Sequence, residues 1–326
     1  MLKTKEKIAE LLREKRGQFV SGEEIAKTLG VSRTAVCKNI SSLKNSGFDI
    51  EAVTNKGYRF NGTDDTITTD GIRVYLSTEL LDKAVFEIVT ETDSTNNLLR
   101  KRAVEGVDEW YTACAIRQTA GKGRMGRNFF SPQDTGVYIS ILLKPQLKPE
   151  NAVLITTAAA VAVCRALETL GAKNPEIKWV NDVYVARKKV CGILTEASFN
   201  LESAKLDYAI LGVGVNMYTP DGNFPEELRD IAGAVFSERG EDMRNRFIAF
   251  FLNEFYGFYK KLAENPHKDE YRKRCFVVGE RVSVISGDEK RDALVLGVED
   301  DCSLSVKFDN GEIKKLNSGE ISLKIK

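Results

Sequence analysis

Histidine is almost missing from this chain. Its one copy, His267, stands between Pro266 and Lys268 in a charged stretch. That excludes metal sites built on several imidazoles and argues against a Ser-His-Asp triad; the residue is expected on an exposed loop. The six cysteines (Cys37, Cys114, Cys164, Cys191, Cys275, Cys302) include no C-x-x-C pair. Neither a zinc knuckle nor a disulfide ladder is indicated, and most are expected as small core residues with free thiols. Seven prolines are too few for a long Pro-rich disordered tail. No run approaches the roughly 18 apolar residues of a membrane span. The N-terminus, MLKTKEKIAELLREK, carries charges throughout and has no apolar signal-peptide core. A cytoplasmic protein with no membrane partner is expected.

What is present has the balance of a soluble globular protein: 326 residues, 42% hydrophobic and 29% charged. That length allows two or three domains. The net charge of +1 is unevenly spread. Residues 1–60 hold twelve Lys/Arg against seven Asp/Glu, a net +5, and the other 266 residues are net −4. A basic module at one end points to a polyanionic partner there.

Ile8, Leu11 and Leu12 recur at helical spacing over 3–16. Gly17 ends that helix. Ser21 with Glu24 three residues on reads as a capping box for a short helix over 23–29, stopped by Gly30. Ser32 caps a third helix to about residue 45, with Val36, Ile40 and Leu43 on one face. Helix, three-residue turn with glycine, helix is the helix-turn-helix pattern. Residues 50–60 read as two short strands around Asn55-Lys56-Gly57, a wing. In such modules the second helix enters the major groove. Ser32, Arg33, Thr34 and Lys38 are placed to contact operator DNA, Arg33 with a bidentate fork for guanine, while Lys56 and Arg59 on the wing face phosphates. The polar 61–66 run reads as a linker.

Residues 70–270 mix strand-like segments (111–117, 136–144, 176–180, 189–197, 206–215) with two apolar helices (152–170, 244–262). Within them lies Gln118-Thr119-Ala120-Gly121-Lys122-Gly123-Arg124-Met125-Gly126-Arg127. Its glycines satisfy G-x-G-x-x-G, but Phe129, Phe130 and Pro132 follow instead of a helix, so this is no dinucleotide fingerprint. Lys122, Arg124 and Arg127 repel one another until an anion joins them. Cationic side chains beside flexible backbone amides suit a phosphate or a carboxylate, and such a loop is expected to be mobile when empty. Beyond about residue 275, short strands (281–286, 293–298, 303–308, 312–316, 319–323) separated by Gly- and Asp-rich turns suggest a small β-barrel.

The glycine loop resembles the G-R-G-R-x-G-R segment of biotin protein ligases. Four further motifs occur in the family's order: Asp93-Ser94-Thr95-Asn96, Lys178-Trp179-Val180-Asn181-Asp182, the 188–196 run KKVCGILTE, and the 211–217 run LGVGVNM. Together with the winged helix they make the whole chain similar to the bifunctional members of that family, which are ligases and biotin operon repressors. The resemblance implies an α+β multidomain fold: a winged helix-turn-helix over 1–62, a catalytic mixed β-sheet with helices over 63–272, and an SH3-like β-barrel over 273–326.

It also implies roles. Ser94, Thr95, Asn96, Gln118, Lys122, Gly123, Arg124 and Lys189 would bind biotin, with Lys189, Arg124 and Lys122 catalytic. Arg127, Phe130, Lys178, Asn181, Asp182, Gly212 and Asn216 would bind ATP, with Asp182 on Mg2+; Gly214 would border the same site, and Phe129 stands where the family has an aromatic residue. Biotinyl-5'-AMP would be both intermediate and corepressor. The implied partners are the biotin carboxyl carrier protein of acetyl-CoA carboxylase and similar carboxylases, operator DNA, and a second copy in a ligand- or DNA-promoted homodimer. Two positions depart from the family pattern: Lys122 stands for its usual Arg and Val180 for its usual Pro. A lipoate-type ligase and a ligand-sensing repressor without ligase activity remain as alternatives.

Overall fold

The computed structural model describes residues 4–45, 48, 50–61, 65–200, 205–286, 289–317 and 320–323. Three helices come first: α1 (Thr4–Glu14), α2 (Gly22–Leu29) and α3 (Arg33–Asn45). The hairpin of β1 (Ile50–Val53) and β2 (Gly57–Phe60) follows. Ser21 caps α2 by accepting from the Glu24 amide at 3.0 Å, and Gly30 ends the helix in the left-handed region. Ile8, Leu12, Ile25, Val36, Ile40, Leu43 and Phe60 close one small core. The wing docks through paired backbone bonds between Val20 and Tyr58. That approach needs glycine at 57, where a Cβ would lie 2.2 Å from the Val20 carbonyl oxygen. Residues 62–64 of the expected 61–66 linker, with the boundary expected at 62/63, lie outside the described residues, as do the expected first residue of the first helix (3) and of the last strand (319).

The central part runs α4 (Thr69–Val74), α5 (Thr78–Leu81), β3 (Val85–Thr92), α6 (Thr95–Val104), β4 (Tyr111–Gln118), β5 (Gly136–Leu143), α7 (Val153–Thr169), β6 (Glu176–Lys178), β7 (Asp182–Val185), β8 (Lys188–Asn200), β9 (Lys205–Asn216), α8 (Met243–Tyr259) and α9 (Lys268–Arg274). The strands form one sheet in the order β3-β4-β5-β9-β8-β7-β6. The β3–β4 pair, joined by α6, is parallel and the other pairs are antiparallel. Strand periodicity divides the two faces. Ile139, Ile141, Leu211 and Val213 turn into the main core with α7 and α8, while Leu142 and Ile210 turn the other way, onto Leu99 of α6. The α6 face carries the site described below. The last strands, β10 (Arg281–Ser286), β11 (Glu289–Val298), β12 (Leu304–Phe308), β13 (Ile313–Leu316) and β14 (Glu320–Leu323), form an antiparallel sheet in the order β13-β12-β11-β10-β14.

Two readings of the sequence are corrected. The 149–169 stretch is, by length and composition, apolar enough to cross a membrane. Here that apolarity packs inside the protein: Leu154, Ile155, Val161 and Leu167 of α7 are all buried. His267 is not an exposed loop residue. It is fully buried at the N-terminal end of α9, with Nε2 2.8 Å from the Thr157 hydroxyl and its ring edge-on to Phe258. The charged neighbours that suggested exposure point outward while the imidazole turns in.

Burial depresses the His267 pKa to about 4. The unfolded chain, with an ordinary imidazole near 6.5, therefore takes up this proton first as the pH falls. Stability held above pH ~6.5 is lost progressively down to pH ~4, by up to about 3 kcal/mol. Denaturant unfolding of the wild type and His267→Gln from pH 7 to 4 should show the wild type losing more stability across that window.

Candidate active site and nucleic-acid interface

Three glycines bare the α6 face of the sheet. Gly192 on β8 sits opposite Gly214 on β9, and Gly212 lies two residues back on β9. A Cβ at 214 would stand 2.5 Å from the Phe129 ring, one at 192 would stand 3.1 Å from it, and one at 212 would stand 2.3 Å from Asn96 Oδ1. An aromatic ring and an amide thus lie directly on main chain.

A small cavity of about 30 Å³ opens there, lined by Ser94, Thr95, Asn96, Gln118, Gly212 and Gly214, with Lys122 and Phe129 over it. Its polar groups are wired together. The Thr95 amide donates to Gln118 Oε1 at 2.8 Å, and Gln118 Nε2 donates to Ser131 Oγ at 2.9 Å. The Ser140 hydroxyl lies 2.7 Å from Thr95 Oγ1 and reaches Asn96 Oδ1 at 2.6 Å. Asn96 Nδ2 donates to Glu196 Oε2 at 2.7 Å.

A larger cavity of about 240 Å³ adjoins it and shares Lys122, Phe129, Gly192 and Leu194. Around it stand Gly123, Arg124, Arg127, Phe130, Lys178, Asn181, Asp182, Lys189 and Asn216. The glycine loop leans across both cavities, pinned by Gly123 N–H to Arg127 O (2.7 Å) and Phe129 N–H to Gly121 O (2.8 Å). From it Arg124 Nη1 donates to Asn181 Oδ1 at 3.1 Å and Lys122 Nζ to Asn97 Oδ1 at 2.6 Å. Opposite, Lys189 Nζ lies 2.7 Å from Asp182 Oδ1. Behind the 178–182 turn, the Trp179 indole donates to Cys302 O (2.9 Å) and the Tyr271 hydroxyl to Val180 O (3.0 Å), so the C-terminal sheet backs this wall. The Trp179–Val180 peptide is cis.

The structure brings all the central residues singled out in the sequence to these two cavities, though not always to the one their grouping implied: Gly123, Arg124 and Lys189, grouped with biotin, line only the larger cavity, and Gly212 and Gly214, grouped with the nucleotide, line only the small one. Gly212 lies under Asn96 and not beside Asn216. Four residues of extended strand separate the two by about 13 Å. Motif reading missed Ser131, Ser140 and Glu196, and also Phe224, whose ring meets Phe130 edge-on. The Glu196 carboxylate stood in a quoted motif, but its partner is 100 residues away and gave no local signal.

Five cationic side chains (Lys122, Arg124, Arg127, Lys178, Lys189) face one carboxylate, Asp182, around the larger cavity. Such a surplus focuses polyanions. Among the described residues no group of three or more His, Cys, Asp or Glu converges as a metal cage. One carboxylate beside phosphate oxygens is nevertheless a usual donor set for Mg2+, so the residues at hand fit that ion.

At the other end, Ser32 caps α3 by accepting from the Ala35 amide (3.1 Å), and Ser32, Arg33, Thr34 and Lys38 are exposed along one edge. On the wing Lys56 is exposed. Arg59 is engaged by Glu51 (2.5 Å) and stacks on Phe19.

Comparison with known proteins matches this division. The sequence pattern of an HTH domain covers residues 4–59, that of the biotin/lipoate A/B protein ligase family 88–216, and that of the biotin protein ligase C-terminal domain 277–324. The bifunctional ligase/repressor BirA of Bacillus subtilis (strain 168) is 31% identical over 323 residues, 97% of each chain. This chain belongs to the BirA family of bifunctional ligase/repressors. The Escherichia coli (strain K12) BirA is 28% identical over 315 residues, 94% of each chain. The solved biotin protein ligase of Aquifex aeolicus in complex with biotin and ATP superposes with a TM-score of 0.59 at 27% identity, over 74% of this chain and 99% of that one. A BirA-family chain of this architecture is a biotin ligase with a DNA-binding repressor module.

Because Phe129 walls both cavities, a methyl group on the strand beneath it disturbs both. In Gly214→Ala, where the added Cβ meets the ring at 2.5 Å, biotin and ATP affinities measured by calorimetry should fall together, each by about tenfold. A loss confined to one ligand would place Phe129 on one side only.

Proposed function

We propose that the small polar cavity receives the bicyclic head of biotin and the larger one ATP, with the biotin carboxylate delivered between them beside Lys189. The observation that carries this reading is the adjacency of a small, hydrogen-bonding cavity and a strongly cationic one with Lys122 and Phe129 shared between them. A volume of about 30 Å³ has room for only about two waters. Ligand entry therefore requires Phe129 and the glycine loop to lift, after which the loop closes again over the occupied site.

A free carboxylate is a poor acyl donor because its leaving group is oxide. In the proposed reaction the biotin carboxylate oxygen attacks the α-phosphorus of ATP, the bond to the β-phosphate bridging oxygen breaks, and pyrophosphate departs. Lys189, Arg124 and Lys122 neutralise the charge gathering on the carboxylate and α-phosphate oxygens. Arg127 and Lys178 hold the polyphosphate, with Phe130, Asn181 and Asn216 around the nucleotide. Asp182 would hold Mg2+, which when bound would supply charge neutralisation for the phosphates. The ε-amine of a carrier-protein lysine then attacks the acyl carbon of biotinyl-5'-AMP, the amide forms, and AMP leaves. The closed loop keeps water from the anhydride meanwhile. Among the described residues the site offers no nucleophile–base pair, and none is required.

The four polar side chains of the small cavity favour a cyclic urea over a dithiolane ring, which separates this reading from lipoate transfer. In the repressor role, biotinyl-5'-AMP acts as corepressor by favouring the loop-closed state and, with it, a two-fold dimer. That dimer presents two α3 helices to a palindromic operator. The biotin carboxyl carrier protein of acetyl-CoA carboxylase competes for the same intermediate.

Radiolabelled biotin, MgATP and an apo carrier domain should give acid-stable label on the carrier. Lys189→Ala should cut pyrophosphate exchange at least a hundredfold while the fold is kept; unchanged labelling would remove this lysine from the chemistry. Arg33→Ala should weaken operator binding by about tenfold or more in a gel-shift assay and leave carrier labelling at the wild-type rate.

A further inference from the structure

Glu196 lines neither cavity, yet its carboxylate is tied to both the site and the loop. Oε2 accepts from Asn96 Nδ2 at 2.7 Å, and Oε1 accepts from Arg100 Nη2 at 2.6 Å. Through Nη1 the same guanidinium donates to Asn97 Oδ1 at 3.0 Å, the oxygen that also holds Lys122 Nζ. We propose that Glu196, held by Arg100, is the positioning residue that fixes which way round the Asn96 amide faces its ligand, and so sets the selectivity of the small cavity for a cyclic urea. This rests on the reading that the small cavity takes the head of biotin.

A primary amide has two nearly isosteric orientations, differing only in which atom is the acceptor and which the donor. The Ser140 hydroxyl beside Asn96 both donates and accepts, so it satisfies either. Glu196 does not: an ionised carboxylate only accepts, so the atom facing it must be Nδ2. Asn96 Oδ1 is thereby turned toward Ser140 and onto Gly212, where a Cβ would stand 2.3 Å away. One Nδ2 hydrogen and one Oδ1 lone pair are left for a ligand, in a fixed order. Biotin's urea carries N–H donors and a carbonyl acceptor at set positions, and a flipped amide would present the wrong one. The sequence position supports the division of labour. Asn96 is in the first turn of α6, Arg100 one turn later on the same face, and Glu196 on β8 reaches across to both.

Glu196→Gln tests this at nearly constant shape, because a carboxamide can offer N–H to Asn96 and so permits the flip. The measurements are KM for biotin and for ATP, kcat, and the ratio of affinities for biotin and 2-iminobiotin, in which nitrogen replaces the urea oxygen. All use the full chain. The expected result is a biotin KM raised about tenfold, ATP KM and kcat within twofold of wild type, and a biotin/iminobiotin preference reduced at least fivefold. Glu196→Asp, which keeps an acceptor-only group, should restore most of the preference. Should Glu196→Gln not fold, Arg100→Gln, which loosens the carboxylate from outside, is read by the same ratio. An unchanged ratio, whatever happens to KM, overturns the inference and leaves the biotin site standing. A wild-type protein that binds no biotin overturns the reading beneath it instead.

Discussion

Everything at the ligand site depends on a strip of main chain without side chains. Gly192, Gly212 and Gly214 lie on two adjacent central strands, and their missing Cβ atoms leave room for the Phe129 ring and the Asn96 amide to rest on the backbone. Glycine inside a strand weakens the strand. The loss is met from the opposite face, where Leu211, Val213 and Val215 alternate with these glycines and are buried against the main core. One strand thus serves two purposes through its period of two: every second residue stabilises the sheet, and the ones between are emptied for recognition.

Around that strip the charges are arranged to be exchanged. Lys189 rests on Asp182, Arg124 on Asn181, and Lys122 on Asn97. Each cation facing the cavity in these three pairs has a protein partner of modest strength, two of them neutral amides. An anionic ligand offers Arg124 and Lys122 a stronger partner than these neutral amides, since hydrogen bonds between charged partners are about twice as strong as neutral ones. The Arg124 and Lys122 pairings also hold the glycine loop down across the cavities.

How much of this was legible in the sequence follows from where the information lay. The winged helix was readable because caps, turn and apolar spacing are local: Ser21, Gly30 and Ser32 stand where the elements begin and end. The glycine loop and the 178–182 run were readable as motifs. The apolar face of α8 was readable by period, and its phenylalanines do pack in the core. What escaped was pairing across long separations. The 3.6-residue period does not reveal that Glu196 meets Asn96, that Ser140 sits between Thr95 and Asn96, or that Trp179 is anchored by the carbonyl of Cys302. His267 was misread for the same reason. Its neighbours along the chain are charged, but its neighbours in space, Thr157 and Phe258, are over a hundred residues away or on another helix.

The junction between the DNA-reading module and the ligase obeys a different physics from either interior. Helix α1 meets α4 and the start of α8 largely through charge: Arg73 Nε to Glu6 at 3.1 Å, Lys5 with Asp70, and Arg13 with Asp242 at 3.3 Å. Asp242 is buried, which raises its pKa against the opposing pull of Arg13, and its amide partner Asn245 also grips Thr66 O. Next to it Asp65, raised by burial in the same way, takes the Arg244 guanidinium and the Tyr218 hydroxyl. Tyr218 is two residues past Asn216, the last residue of β9. Buried pairs of this kind add little to stability, because desolvation cancels most of their attraction. Their cost rises steeply with misplacement, however, since each displaced charge is left alone in a medium that cannot solvate it. Helix α1 is thereby tied to α4 and the start of α8, and the Asp65–Tyr218 bond continues the network to the end of β9.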